Sequence, residues 1–260
     1  MHYDFSVPAF SPRFVPVWRR NFLVWKKLAV SSILGNIADP MISLMAFGYG
    51  LGSLLPSVGG VPYIQFLAAG TVCMSTMNAA TFESLYSAFS RMHVQRTWDG
   101  IMNAPVSLED VVLGELTWAA SKSFLSGLAI MSVVWLLGLA GGPQSVLILG
   151  VVVLIGAAFA AIGLVVNALA RAYDTFTYYF TLVITPMAFL SGVFFPVTQL
   201  PPWLQTFAQV LPLLHAIALA RPLLLGHWPD APLLHIAVLM LYAAVGAYIA
   251  IVLTRRRLLT

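Results

Sequence analysis

The sequence predicts an all-α integral membrane protein: six transmembrane helices, an amphipathic interfacial helix near the N-terminus, and a re-entrant outer helical hairpin between the fifth and sixth spans. Three observations predict it. Only 8% of the 260 residues are charged and 60% are hydrophobic, whereas a soluble domain carries about 25% charged residues on its surface. Apolar stretches of about 20 residues, enough to cross a hydrocarbon core of roughly 30 Å, recur along the whole chain. The basic residues also gather on one side of those stretches.

Residues 1–30 form the expected cytoplasmic N-terminal segment. Its start, MHYDFSVPAFSPRF, has no basic opening, apolar core or cleavage site of a signal peptide, so insertion is expected to be driven by the spans. Within RFVPVWRRNFLVWKKLA (13–29), Phe14, Trp18, Phe22, Trp25 and Ala29 recur at spacings of three and four. Arg13, Arg19, Arg20, Lys26 and Lys27 cluster away from that stripe. Basic residues opposite Trp and Phe describe a helix lying in the headgroup plane, its polar face favoured by anionic lipid.

The spans are expected at 31–53, 64–90, 111–138, 145–170, 173–195 and 231–254, within a transmembrane domain of 31–260. The second is long and should project beyond the bilayer on one side. Its Thr71, Ser75 and Ala79 permit close helix approach and suit a central position. Between the fifth and sixth lies GVFFPVTQLPPWLQTFAQVLPLLHAIALARPLLLG (192–226), apolar enough for a further span. Pro196, Pro201, Pro202, Pro212 and Pro222 cut it into pieces too short to cross, so an outer hairpin is expected over 196–226. Six spans place Arg13, Arg19, Arg20, Lys26, Lys27, Arg91, Arg96, Arg171 and Arg255–Arg257 on one side and only Arg221 on the other. The positive-inside rule then sets both termini in the cytoplasm.

No catalytic constellation emerges. A GxxxxGK[ST] phosphate loop, HExxH and GxSxG are all missing from the sequence. Cys73 is the single cysteine, which excludes an intrachain disulfide and a cysteine metal cluster. His215, His227 and His235 fall near the expected outer face at no useful metal spacing and read as interfacial histidines, so no metal is expected. The net charge of +4 reflects topology, and no nucleic-acid partner is expected.

Charges within spans are costly and mark function or a neutralised packing network. Asp39 sits inside the first span beside Pro40, where it either caps a turn or lines a pathway. Glu83 lies in the inner half of the second span, and Lys122, on one helical face with Glu115 and Ser126, lies in the third. These four ionisable residues, Asp39, Glu83, Glu115 and Lys122, are the candidate intramembrane polar network. Aromatics cluster as Phe82, Tyr86 and Phe89, as Tyr173, Phe176, Tyr178, Tyr179 and Phe180, and as Phe194, Phe195 and Trp203. Lipid-facing belts account for such rings; alternatively Phe82, Tyr86, Phe176, Tyr179, Phe194 and Phe195 stack sugar rings along a pathway. The stretch RTWDGIMNAPVSLEDVVLGE (96–115) concentrates charge in an otherwise apolar chain. It is either a solvated loop or a surface gripped by another protein. A solvated loop would leave Trp98, Ile101 and Met102 in water, whereas Trp, Met and Arg are enriched at interfaces. SLED (107–110) reads as the N-cap of the third span.

The order of these features resembles the ABC-2 type transporter permeases. Residues 66–123, FLAAGTVCMSTMNAATFESLYSAFSRMHVQRTWDGIMNAPVSLEDVVLGELTWAASKS, resemble in particular the nodulation-type (NodJ-like) lipo-oligosaccharide exporter permeases, with FFPVTQLPPWLQ (194–205) and LPLLH (211–215) as further matching blocks. The resemblance implies an ABC-2 type exporter fold and a half-size exporter of the bacterial inner membrane. Two copies of the chain would form the pathway, and two copies of a separate ATPase subunit would bind ATP and Mg. No catalytic residue or cofactor is then expected in this chain. The resemblance also implies a coupling helix over 91–103 that docks on the ATPase, with Arg91, Arg96, Trp98, Asp99, Ile101 and Met102 as contacts. A lipo-oligosaccharide is the implied cargo; a polysaccharide or a hydrophobic drug is the alternative within the family. An ATP-independent carrier or scramblase using Asp39, Glu83 and Lys122 is the alternative outside it.

Overall fold

The computed structural model describes residues 11–55 and 57–259; residues 1–10, the front of the expected N-terminal segment, lie outside the described residues. The described chain is almost entirely helical. Helix α1 (Phe14–Lys26) buries Val17 and Asn21. Its aromatic stripe packs on the bundle: Trp18 Nε1 donates to Ser121 Oγ at 3.0 Å, and the rings of Phe22 and Trp25 meet Trp118 edge-on. The stripe that suggested a lipid-facing surface is thus largely claimed by protein. Gly114 permits this approach, because a Cβ there would stand 2.6 Å from Val17 Cβ.

Helix α2 (Ala29–Leu54) runs through Pro40 and winds as a π-helix over Ala46–Leu51. It is the least enclosed of the long apolar helices, with 11% of its apolar window buried. No strand is expected from the residues of the following loop. A two-residue antiparallel pair nevertheless forms there, β1 (Ser57–Val58) with β2 (Val61–Pro62). Gly59 and Gly60 close it at φ +62° and +83°, a left-handed turn that suits residues without a Cβ.

Helix α3 (Tyr63–Phe82) continues through π-helical turns at Glu83–Ser87 and Ser90–Val94. The short helix α4 (Thr97–Met102) follows, then α5 (Leu108–Leu136). Ser107 caps α5 in a capping box: its Oγ accepts from the Asp110 N–H, and the Asp110 carboxylate accepts from the Ser107 N–H. A 3-10 turn (Pro143–Leu147) leads into α6 (Ile148–Leu169). Helices α7 (Asp174–Tyr179) and α8 (Thr185–Leu190) join through π-helical Phe180–Ile184. Then come α9 (Pro202–Ala208), α10 (Pro212–Leu224) and α11 (Pro232–Leu259).

Four of these elements are long and apolar enough to cross a membrane: Ala29–Leu54, Leu108–Leu136, Pro143–Leu169 and Pro232–Leu258. The other two expected spans differ from them for separate reasons. Helix α3 is polar for a span, but neighbouring helices enclose it and bury fourteen of its twenty residues. A helix facing protein has no need of a lipophilic surface. The α7–α8 run is short against the roughly 20 residues of a typical span. Helices α9 and α10 meet at 88°. Pro202 and Pro212 occupy their first turns, where the missing N–H costs nothing, so these prolines start helices as well as ending the preceding pieces.

Helix α10 is mostly buried, and contacts of Arg221 and His215 fix it. Arg221 donates to Gly192 O at 2.6 Å, and its guanidinium lies 3.6 Å from the Phe66 ring centroid. His215 is only 4% exposed. Its Nδ1 lies 2.8 Å from Nδ1 of His235 on α11, and its Nε2 lies 2.8 Å from Gln209 O. Two histidines read separately as interfacial are therefore one packed pair. The core is a continuous cluster through α3, α5, α6 and α10, including Met77, Ile130, Ile155, Phe159 and Ile217. A second cluster at the α4 end joins Leu85, Phe89, Trp98, Val111, Leu164, Phe176 and Ile251.

Candidate functional site

Helix α4 is a six-residue helix at one end of the bundle. Arg96 precedes it at φ +47°, ψ +34°, a left-handed turn that reverses the chain after α3. For a residue with a Cβ that conformation costs about 1–2 kcal/mol, which the packing of the flanking helices must offset. Asp99 and Arg96 are exposed, and Ile101 and Met102 are half-buried. Trp98 and Arg91 are placed otherwise than a row of docking contacts requires. Trp98 is 1% exposed, and the Arg91 side chain is enclosed between two carboxylates. Both belong to the interior, because each carries a donor that only a buried acceptor satisfies there.

That interior is an ionic network between α3, α4 and α5. Arg91 Nη2 donates to Glu83 Oε1 at 2.9 Å, and Arg91 Nε donates to Glu115 Oε1 at 2.9 Å. A further Arg91 Nη2 contact to Glu115 Oε2 makes the Glu115 pairing bidentate. Trp98 Nε1 donates to Glu115 Oε1 at 3.1 Å, and Trp118 Nε1 to Glu83 Oε1 at 2.8 Å. Lys122 Nζ donates to Glu83 Oε2 at 2.7 Å. Two acids and two bases thus cancel, and Glu83 and Glu115 are almost wholly buried. Glu83 and Arg91 stand eight residues apart. Ordinary α winding would leave them about 80° out of line, and the wider π turns between them restore a common face.

The network is also braced from outside. Arg20 of α1 reaches Thr97 Oγ1 at 3.4 Å, and Arg13 donates to Pro105 O at 2.8 Å. Burial lowers the Arg20 pKa from its ordinary value, as does the neighbouring Arg91 charge, while Glu115 opposes both. Arg255 on α11 pairs with Glu109, and Arg257 donates to Asn167 O at 2.8 Å. Asn167 in turn donates to Ser84 O at 2.8 Å.

Beside the network lies a cavity of about 260 Å³ between α2, α3, α5 and Phe180; its walls are mostly apolar, Phe82 among them, and Asn36, Asp39, Ser75, Asn78 and Lys122 are the polar residues that reach it. Lys122 therefore faces Glu83 on one side and this cavity on the other. Asp39 is exposed on its edge, and α2 continues past it through Pro40, so it caps no turn. Of the six aromatic candidates, Phe82 is 53% exposed and stacks on Tyr86 with centroids 4.6 Å apart. Phe176 is fully enclosed by Tyr86, Phe89 and Tyr173, a packed cluster with no free ring face. Tyr179 packs against the core. Phe194 meets Phe47 and Phe189 and accepts the Tyr63 hydroxyl on its carbonyl, while Phe195 is half-buried nearby.

Residues 13–225, from α1 through α10, match the ABC-2 type transporter family. The chain belongs to the ABC-2 type transporter family. The permease is 45% identical over 258 residues to nodulation protein J of Sinorhizobium fredii, covering 99% of this chain and 98% of that one. It is 48% identical over 261 residues to nodulation protein J of Rhizobium meliloti, again covering 99% and 98%. The inner membrane transport permease YadH of Escherichia coli is 23% identical over 202 residues, 78% of each chain.

Sequence reasoning missed Trp118 and Asn167 in the permease. Trp118 had a signal: it stands three residues after Glu115 and four before Lys122, on the face they share. Asn167 had none, since its contacts are with backbone 83 residues away. Among the described residues no group of three or more His, Cys, Asp or Glu is arranged to hold a metal.

Proposed function

We propose that the permease is the membrane subunit of an ATP-driven exporter of an amphiphilic glycan, such as a lipo-oligosaccharide. In this reading six helical segments cross the bacterial inner membrane, the α9–α10 hairpin is re-entrant from the outer leaflet, and both termini are cytoplasmic. Two copies of the chain form the pathway, and two copies of a separate ATPase, which carries ATP and Mg, dock beneath. The observation that carries the reading is the attachment of α4: an exposed helix whose buried Trp98 is hydrogen-bonded to Glu115, and through Arg91 and Glu83 to Lys122.

The mechanism follows from that attachment. Arg96, Asp99, Ile101 and Met102 meet the ATPase, and Trp98 and Arg91 turn its motion into motion of α3 and α5. A charge network transmits displacement because shifting one member leaves a buried charge short of its partner, which costs several kcal/mol. Lys122 ends the chain of contacts at the cavity, where Asn36, Asp39 and Asn78 offer hydrogen bonds to hydroxyls and Phe82 a face to a sugar ring.

The test is uptake of a fluorescent acylated oligosaccharide into inside-out vesicles holding permease and ATPase. Uptake should require ATP. Asp99→Arg with Ile101→Asp should abolish co-purification of the ATPase while leaving the permease folded. Uptake driven by a proton gradient without ATP would instead establish the carrier reading, which uses Asp39, Glu83 and Lys122.

A further inference from the structure

A second concavity, of about 530 Å³, lies between α1, α5 and α6 and shares no lining residue with the cavity beside Lys122. Trp18 and Phe22 form one wall, Leu116, Phe124 and Leu125 another, and Val153 lies across from them. The few hydroxyls in it are already committed: Thr117 Oγ1 donates to Leu113 O, and Ser121 Oγ donates to Thr117 O while accepting from Trp18. The groove thus offers shape and apolar contact but no free hydrogen bond, which suits a hydrocarbon chain and not a sugar. On α1, Arg19 follows Trp18 directly, and Lys26 stands one turn beyond Phe22. Both are exposed, and at about 100° per residue Lys26 lies about 40° around α1 from Phe22 and Arg19 about 100° from Trp18, so they flank the apolar opening without lining it.

We infer that this groove is a specific site for an anionic phospholipid of the inner leaflet, one acyl chain lying against Trp18, Phe22 and Phe124 and the phosphate meeting Arg19 and Lys26. The inference rests on the proposed placement of α1 at the inner membrane surface. The groove's floor is Trp118, whose indole nitrogen holds Glu83. The bound chain therefore packs on the back of the side chain that orients the ionic network, and the lipid acts as a partner of the coupling machinery.

The test uses the full chain alone, in nanodiscs of phosphatidylcholine. A few mole per cent of either phosphatidylglycerol or phosphatidylcholine is added with bromines at mid-chain, and tryptophan quenching is read. Brominated phosphatidylglycerol should quench at an effective concentration about fivefold lower per contacting cation. Ala157→Phe, which fills the groove, should remove the component specific to phosphatidylglycerol. Arg19→Gln with Lys26→Gln should equalise the two lipids while quenching persists, and this variant also serves if Ala157→Phe fails to fold. Equal quenching by both lipids in the parent protein would overturn the inference, as would a preference that survives both variants. Because neither ATPase nor cargo is present, the result stands apart from the export reading. If α1 lies off the bilayer, the double variant changes nothing and Ala157→Phe leaves all quenching unchanged, which also overturns it.

Discussion

At the scale of single residues, Arg91 decides the most. A guanidinium enclosed by two carboxylates is held by charge on both sides, and removing one partner of a buried pair costs about 3–5 kcal/mol. Glu115→Ala should therefore lower the thermal unfolding temperature of the detergent-solubilised permease sharply, because it strips both Arg91 and Trp98 of an acceptor. Trp98 separates packing from hydrogen bonding. Trp98→Phe keeps most of the buried ring and should cost only about 1 kcal/mol, whereas Trp98→Ala opens a cavity worth about 3–5 kcal/mol. If the two variants lose equal stability in the same assay, the indole is not packed as described. The pairing of Glu83 with Lys122 is testable by a double-mutant cycle: Glu83→Gln and Lys122→Met should be non-additive by about 1–3 kcal/mol.

At the scale of elements, α1 and α5 depend on each other through small features. Ser107→Ala removes one side of the capping box and should destabilise α5 by about 1 kcal/mol while leaving its register unchanged. Gly114→Val is a different kind of change, since its Cβ meets Val17 and the Phe14 carbonyl. Such overpacking costs about 1–3 kcal/mol. The cheapest relief is for α1 to lift away, so limited proteolysis should cut near residues 13–29 in Gly114→Val and spare the parent protein. Much of this was legible beforehand. The cap was written in SLED, and the aromatic period of α1 in its spacing. Its facing was not, because a stripe of Trp and Phe reads the same against lipid as against Trp118.

At the scale of the whole molecule, the arrangement links one partly exposed helix to the cavity beside Lys122 through buried charge. ATPase coupling should follow that link: Trp98→Phe should leave ATPase association intact and reduce the ATP hydrolysis stimulated by cargo, measured with the reconstituted complex. A variant that bound the ATPase and coupled fully without the indole hydrogen bond would remove Trp98 from the transmission route. The polar residues of α3 have a place in this arrangement: Ser75 and Asn78 reach the cavity, while fourteen of the helix's twenty residues are buried.

The sequence by itself determined the solvent, the helical class and the family, because low charge, apolar length and motif order are local properties of the chain. It also marked Glu83, Glu115 and Lys122 as a group, since charge inside apolar segments is rare enough to be conspicuous. It could not decide which carboxylate each cation meets. Lys122 shares a helix face with Glu115, yet it pairs with Glu83, because Arg91 takes Glu115 and the π turns of α3 bring Glu83 across. Nor could it separate Trp98, buried, from Asp99, exposed, one residue apart on a single turn. That choice belongs to the tertiary structure, where only one side of a short helix finds a partner for an indole N–H.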